Sequence, residues 1–156
     1  MAASVVSAAT SDQTSSCLSG HSSCPEAIVS GAIAAGAGKF GVGGKALAAR
    51  ATSIHSLLDP IAQNMRRTAV LSTKEGVKVL ASGGRDLTRA QRATAGADDM
   101  IAVSPTDHAE VTAVNGALSA GLTPRGLGVS HDICPVCQSF LEGTGATITS
   151  PTTAKW

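Results

Sequence analysis

The sequence predicts an α/β fold, a sheet of four strands covered by helices, and three observations carry that expectation. From about residue 54 onward, runs with helical spacing alternate with strand-like runs in the order α-β-β-α-β-α-β. Gly and Pro punctuate the ends of those runs, as at Gly83, Gly84, Gly121 and Pro151. The chain has 156 residues, 43% of them hydrophobic, which is enough for the core of one domain. Aromatic residues make up only 2% (Phe40, Phe140 and Trp156, with no Tyr), so that core must be built from Ala, Val, Leu and Ile.

Residues 1–52 stand apart as an Ala/Gly/Ser-rich stretch preceding a domain at 53–156. Glycine costs a helix about 1 kcal/mol per position relative to Ala. The glycines between Gly31 and Gly44 therefore read as a flexible or weakly helical linker, the alternative being a small-residue helix that packs on a membrane or partner. Ile54, Leu57, Leu58, Ile61 and Met65 then recur at helical spacing, with Pro60 placed to start a new helix after Asp59. Strands at 68–73 and 77–81, joined by Lys74, Glu75 and Gly76, form a β-hairpin. The polar run 85–107 holds a short helix that Asp86 caps and that ends near Gly96. The next helix opens at His108, with Val111, Val114, Ala117 and Leu118 on its apolar face, and Gly121 and Pro124 end it. A strand at 126–130 follows. Pro135, tolerated in a first turn, opens a helix carrying Val136, Phe140 and Leu141, which Gly143 closes. A strand at 146–150 is stopped by Pro151.

The net charge of +1 provides no global field to draw in nucleic acid or an anionic membrane, so any polyanion must be met by a local patch. The N-terminus lacks the positive region of a secretory signal. The most apolar stretch, 27–38, is shorter than the ~20 residues that span a bilayer. No membrane span is expected.

The chain's chemistry is concentrated in His108-Ala109-Glu110 and Cys134-Pro135-Val136-Cys137. Zinc that performs hydrolysis takes three protein ligands and keeps one position open for water. An acid outside the ligand set can then move the water's protons. His108, Cys134 and Cys137 are the candidate zinc ligands, and Glu110 is the candidate proton carrier. Both groups begin helices, whose positive ends favour thiolates. Cysteines at i and i+3 share one helix face, so both can reach one ion. Residues two apart on an ideal helix point nearly opposite ways, and only the looser first turn lets His108 and Glu110 address one cleft. Two other readings of the cysteine pair stay open. It can be half of a structural zinc site, with His131, Cys17 or Cys24 as further ligand, or a redox pair. Zinc held by thiolates implies a reducing compartment.

The pair of motifs resembles the cytidine deaminase-like superfamily, in which His-x-Glu precedes Cys-x-x-Cys and the Glu stays outside the metal shell. The flanking runs, Pro105-Thr-Asp-His-Ala-Glu-Val-Thr-Ala-Val-Asn115 and Gly128-Val-Ser-His-Asp-Ile-Cys-Pro-Val-Cys137, are similar to its bacterial polymorphic-toxin branch, the YwqJ-like and double-stranded DNA deaminase groups. The resemblance covers roughly residues 54–150. It implies a three-layer α-β-α fold with a mixed four- to five-stranded sheet and Zn2+ held at two helix starts. It implies hydrolytic loss of ammonia from a nucleobase, most often cytosine to uracil, in DNA more than RNA. It also implies a secreted effector delivered into the cytoplasm of a target cell, with residues 1–52 as a pre-toxin segment and a cognate immunity protein as partner. The sequence departs from the family at two places. Ile133 precedes the first cysteine where many members have Pro, and only residues 151–156 remain to supply the usual fifth strand.

Ser82, Gly83, Ala109 and His131 are the candidate substrate contacts. Arg85, Arg89 and Arg92 share a face if their segment is helical and can then contact phosphates or simply meet solvent, and Arg66, Arg67 and Arg125 carry the same two readings. His55 and His21 read as structural or solvated, and Asn115 as a capping or packing group. Two further functions fit the composition: deamination of free nucleosides or nucleotides, and a non-enzymatic zinc-binding module.

Overall fold

The computed structural model describes residues 43–104 and 106–156. They form an α/β fold in three layers, a six-stranded mixed sheet with helices on both faces. In chain order the elements are α1 (Gly44–His55), α2 (Pro60–Met65), β1 (Thr68–Thr73), β2 (Lys78–Ser82), α3 (Arg89–Arg92), β3 (Asp99–Ile101), α4 (Ala109–Ser119), β4 (Pro124–Val129), α5 (Pro135–Gly143), β5 (Thr147–Ser150) and β6 (Thr153–Lys155). The sheet order is β3-β2-β1-β4-β6-β5. All neighbouring pairs are antiparallel except β2 and β3, which are parallel.

The period-2 alternation of strand side chains divides the core. Ala69 and Leu71 of β1, Val79 and Ala81 of β2, and Leu127 and Val129 of β4 face α4 and α5. Val70 and Leu80 point the other way and pack against Leu47, Ala51 and Ile54 of α1. Because β1 is covered on both faces, all six of its residues are buried. The hairpin of β1 and β2 turns at Gly76, whose φ of +91° is open to glycine at no steric cost.

Four expectations change. The folded part begins by residue 44, not 53: α1 inserts Leu47 and Ala51 into the core. Its small residues serve close packing rather than flexibility, since a Cβ on Gly128 of β4 would lie 2.1 Å from the Ala48 backbone nitrogen. The rest of the 1–52 stretch lies outside the described residues, as do His21, Cys17 and Cys24. The new helix expected at Pro60 forms, with the Asp59 carboxylate capping it on the Ile61 and Ala62 amides at 3.1 and 3.0 Å, but the apolar stripe from Ile54 to Met65 does not stay buried through it. Ile61 is 76% and Met65 79% exposed. The short helix in the polar run starts two residues later than expected. It is capped by Thr88 in a reciprocal box with Gln91, so Arg85 lies outside it and shares no helical face with Arg89 and Arg92. Finally, the sheet has six strands rather than four or five: β3 adds an edge, and residues 153–155 supply β6, which inserts between β4 and β5.

The Arg50 guanidinium hydrogen-bonds the Asp99 carboxylate, joining α1 to β3, and the Gly96 amide donates to the same carboxylate at 2.7 Å. Burial alone would raise the Asp99 carboxyl, but these two donors outweigh it and hold it below its ordinary value. No helix among the described residues is long and apolar enough to cross a membrane.

Candidate metal centre

His108, Cys134 and Cys137 form a group that can hold a metal ion, their ligand atoms all lying within 4.8 Å of one another. Local structure places each one. His108 is the N-cap of α4 and makes no side-chain capping bond, so its ring is free of the helix. Cys134 caps α5, with Pro135 in the first turn, and its Sγ accepts from the Cys137 amide at 3.4 Å. The i, i+3 spacing then sets both sulfurs toward the same ring, with His108 Nδ1 3.4 Å from Cys134 Sγ and 3.2 Å from Cys137 Sγ. Tetrahedral zinc, with Zn–N and Zn–S bonds of about 2.0 and 2.3 Å, needs N···S edges of about 3.5 Å. The observed edges fall just short of that, and the donor set fits zinc with little adjustment.

The supporting shell explains why these helices meet. Ile133 is 2% exposed, and its amide donates to the Pro151 carbonyl at 2.7 Å while its carbonyl accepts from Gln138 Nε2 at 2.8 Å. Ile133 thus anchors the start of α5 in the core, which accounts for an apolar residue in that position. On the other side, β2 ends against α4. A Cβ on Gly83 would stand 3.0 Å from the Ala109 nitrogen, and the Gly84 amide donates to the Asp107 carbonyl at 3.1 Å.

Glu110 is 2% exposed, and its Oε2 has no hydrogen-bond partner. It is not a member of the ligand group. Buried polar atoms in folded proteins nearly always have partners, and an acceptor left free beside a His-Cys-Cys group fits chemistry with a cation or a ligand proton. Burial, the Glu110 charge and the neighbouring Cys134 together push the Cys137 thiol well above its ordinary value. A cation among these groups offsets that cost, because it stabilises thiolates and carboxylate alike.

These residues open onto a cavity of about 480 Å³ lined by His108, Ala109, Glu110 and Cys134 together with Gly83 and Gly84. Of the expected substrate contacts, Gly83 and Ala109 line it. Ser82 does not: its hydroxyl is buried, accepting from Arg66 Nη2 at 2.8 Å and donating to the Arg67 carbonyl at 3.3 Å. His131 also turns elsewhere, its ring meeting that of His55 edge to face at 4.8 Å. Burial, the Arg67 charge and His55 lower the His131 pKa, keeping the ring neutral. His55 is structural as expected, with its ring nitrogens at 3.3 Å from Thr68 Oγ1 and 3.0 Å from the Gln63 carbonyl. Arg92 bonds the Leu87 carbonyl at 2.9 Å and faces Asp86 at 3.6 Å. Arg125 lies in a separate cavity with Trp156. Asn115 is exposed.

Sequence reasoning missed Asn64, Met65, Asp107 and Asp132, which line the cavity. Asp107 and Asp132 carry a signal in hindsight, since one adjoins His108 and the other lies two residues before Cys134. Asn64 and Met65 carry none, because only the turn from α2 into β1 brings them there. Compared with models of known protein families and with curated proteins, the chain gives no match.

Proposed function

We propose that the protein is a zinc-dependent hydrolase that deaminates a nucleobase, cytosine to uracil in DNA being the preferred reaction, as the effector domain of an interbacterial toxin that acts in the cytoplasm of a target cell and is held in check by an immunity protein in the producer. The observation that carries the catalytic part is the orphan Oε2 of buried Glu110 beside a three-donor His-Cys-Cys group. The toxin setting rests on the resemblance of the motif runs alone.

His108, Cys134 and Cys137 would hold the ion. Zinc in such a site supplies Lewis acidity that brings the pKa of a bound water to about 7. Glu110 does the proton work. Its carboxylate takes one proton from water as oxygen adds to C4 of cytosine and gives it to the ring nitrogen N3, then takes the second from the new C4 hydroxyl and gives it to the exocyclic amine as that group leaves. The C4–N bond breaks, and cytosine and water become uracil and ammonia. Burial of Glu110 keeps bulk water from competing for its protons.

A closed structural zinc site is less well supported. Among the described residues the group has three members, and His131 is committed to His55. Deamination of free nucleosides shares the same chemistry and differs only in substrate. The test is to incubate zinc-loaded protein with single- and double-stranded DNA and RNA and with a nucleoside panel. Uracil should form in a polymer, with an equal release of ammonia. Absence of deamination from every substrate would overturn the reading. Ammonia from nucleosides alone would replace the nucleic-acid substrate with a free one.

A further inference from the structure

Among the described residues two buried side-chain polar atoms lack any partner, Glu110 Oε2 and Arg66 Nε, and both residues line the same cavity. The first is an acceptor and belongs to the reaction proposed above. The second is a donor on a residue that the reaction does not use.

Arg66 is held unusually firmly for a residue at a cavity wall. Its Nη2 donates to Ser82 Oγ at 2.8 Å and to the carbonyls of Arg85 and Asp86. A guanidinium carries five N–H donors in a rigid plane. Among the described residues the three acceptors share the two hydrogens of Nη2, and Nε has no partner. Leaving a buried charged donor unpaired is costly, more so than leaving a neutral one. Burial, followed by the charge of Arg85, pushes the guanidinium below its ordinary range. An incoming anion reverses both effects.

The rest of the cavity narrows the ligand. Arg67 lines it next to Arg66, and its bonds within the protein go through Nη1 to the Asn64 and Arg66 carbonyls at 3.4 and 2.8 Å. Asp107 and Asp132 line it as well, Asp107 accepting from Ser104 Oγ at 2.7 Å. The cavity therefore offers cationic donors from the 66–67 segment and carboxylates from the two segments that carry the metal ligands. A ligand that complements it carries both an anionic oxygen and N–H donors.

We infer that Arg66 is a preset phosphate-binding residue, so that the substrate is a phosphorylated nucleotide unit, free or within a polynucleotide, rather than a nucleoside or free base. The inference rests on the deaminase reading for the identity of the ring, though not for the phosphate. Fixing the guanidinium in advance through Ser82 lowers the ordering cost of binding, because the rotamer is already chosen. Planar pairing with phosphate oxygens is what Arg provides and Lys does not.

The test uses the full chain, zinc-loaded and carrying Glu110→Gln so that ligands persist. Binding of cytidine, cytidine 5′-monophosphate, a short cytosine-containing single-stranded oligodeoxynucleotide and inorganic phosphate is measured across a salt series. Both phosphorylated ligands should bind at least about tenfold more tightly than cytidine, and Arg66→Met should remove that preference while cytidine binding stays the same. The slope of log affinity against log salt should fall by about 1 for the oligonucleotide. Arg66→Lys should recover the salt slope and only part of the affinity. Equal affinity of cytidine and its monophosphate for the parent chain overturns the inference without any Arg66 variant, so it stays testable if that variant does not fold. An equal loss of cytidine and nucleotide binding in a folded variant overturns it too, since a purely structural Arg66 predicts that. Arg66-dependent binding of inorganic phosphate, with no binding of any cytosine ligand, supports the phosphate site and defeats the deaminase reading instead. A preference for oligonucleotide over mononucleotide assigns the phosphate to a polymer backbone; the reverse assigns it to a free nucleotide.

Discussion

Glu110→Gln should lower turnover by about 100- to 10,000-fold, the range a positioned general acid-base contributes, while zinc content and melting temperature stay as in the parent chain. The two side chains have the same shape, so the buried site beside Ala109 and Ala113 is filled equally well. Glu110 is not among the three grouped ligands, so the ion keeps its donors. The amide cannot shuttle protons, because at neutral pH it neither accepts nor releases one. Removing the carboxylate also removes a negative charge that, after burial, is the largest influence raising the Cys137 thiol, so metal loading is not impaired. The contrasting variant is Cys137→Ser, which should lose both zinc and turnover. Steady-state kinetics with metal analysis on the same preparations separates the two. Glu110→Gln with parental turnover would remove Glu110 from the mechanism, and loss of its zinc would make it part of the metal's support.

The contrast between what the motif revealed and what it hid has a physical basis. His108, Cys134 and Cys137 were legible because their placement is local: a capping position, a proline in the first helical turn and an i, i+3 spacing fix them within a few residues. The strands β1, β2 and β4 were legible for a similar reason, being short runs bounded by turn residues that are read within one element. What stayed hidden depends on partners distant in sequence. The helix α1 is built of small residues that look flexible alone, and its docking is set by Gly128 some eighty residues later. β3 has only Met100 and Ile101 as apolar residues, and it becomes a strand by lying parallel to β2. Ser82 looked like a substrate contact from its place after a strand, but Arg66 claims its hydroxyl. His131 looked like a pocket residue from its distance to Cys134, but His55 claims its ring. The helix start at Pro60 was legible locally, but the exposure of Ile61 and Met65 was not, so the apolar period from Ile54 to Met65 overstates the buried face.

The largest stability effect should come from Gly128, far from any chemistry. A Cβ there would stand 2.1 Å from Ala48 N, 2.3 Å from Leu47 C and 2.7 Å from Ala48 Cα. All three are backbone atoms of α1, and no rotamer change can move them away. Either β4 buckles or the helix lifts off the sheet. The first strains a strand hydrogen-bonded on both sides, to β1 and to β6. The second exposes Leu47, Ala51 and Ile54, where a fully buried Leu or Ile is worth about 1.5–3 kcal/mol. Overpacking that side chains can absorb costs about 1–3 kcal/mol, so a clash with backbone should exceed the upper end of that range. Gly128→Ala is therefore expected to lower the melting temperature by roughly 10 °C or more, and Gly128→Val to prevent folding. Two controls isolate the cause. A Cβ on Gly116 meets the Ala102 Cβ at 2.5 Å, and that atom moves only with its backbone, but β3 is an edge strand paired on one side and gives way more easily than β4, so Gly116→Ala should be destabilising yet cost less. A Cβ on Gly143 meets nothing within 4 Å, so Gly143→Ala at the end of α5 should be neutral or slightly stabilising. Thermal unfolding of the three variants ranks them directly. A parental melting temperature for Gly128→Ala would mean that α1 does not pack on β4, and the folded unit would then begin where the composition change at residue 53 first placed it.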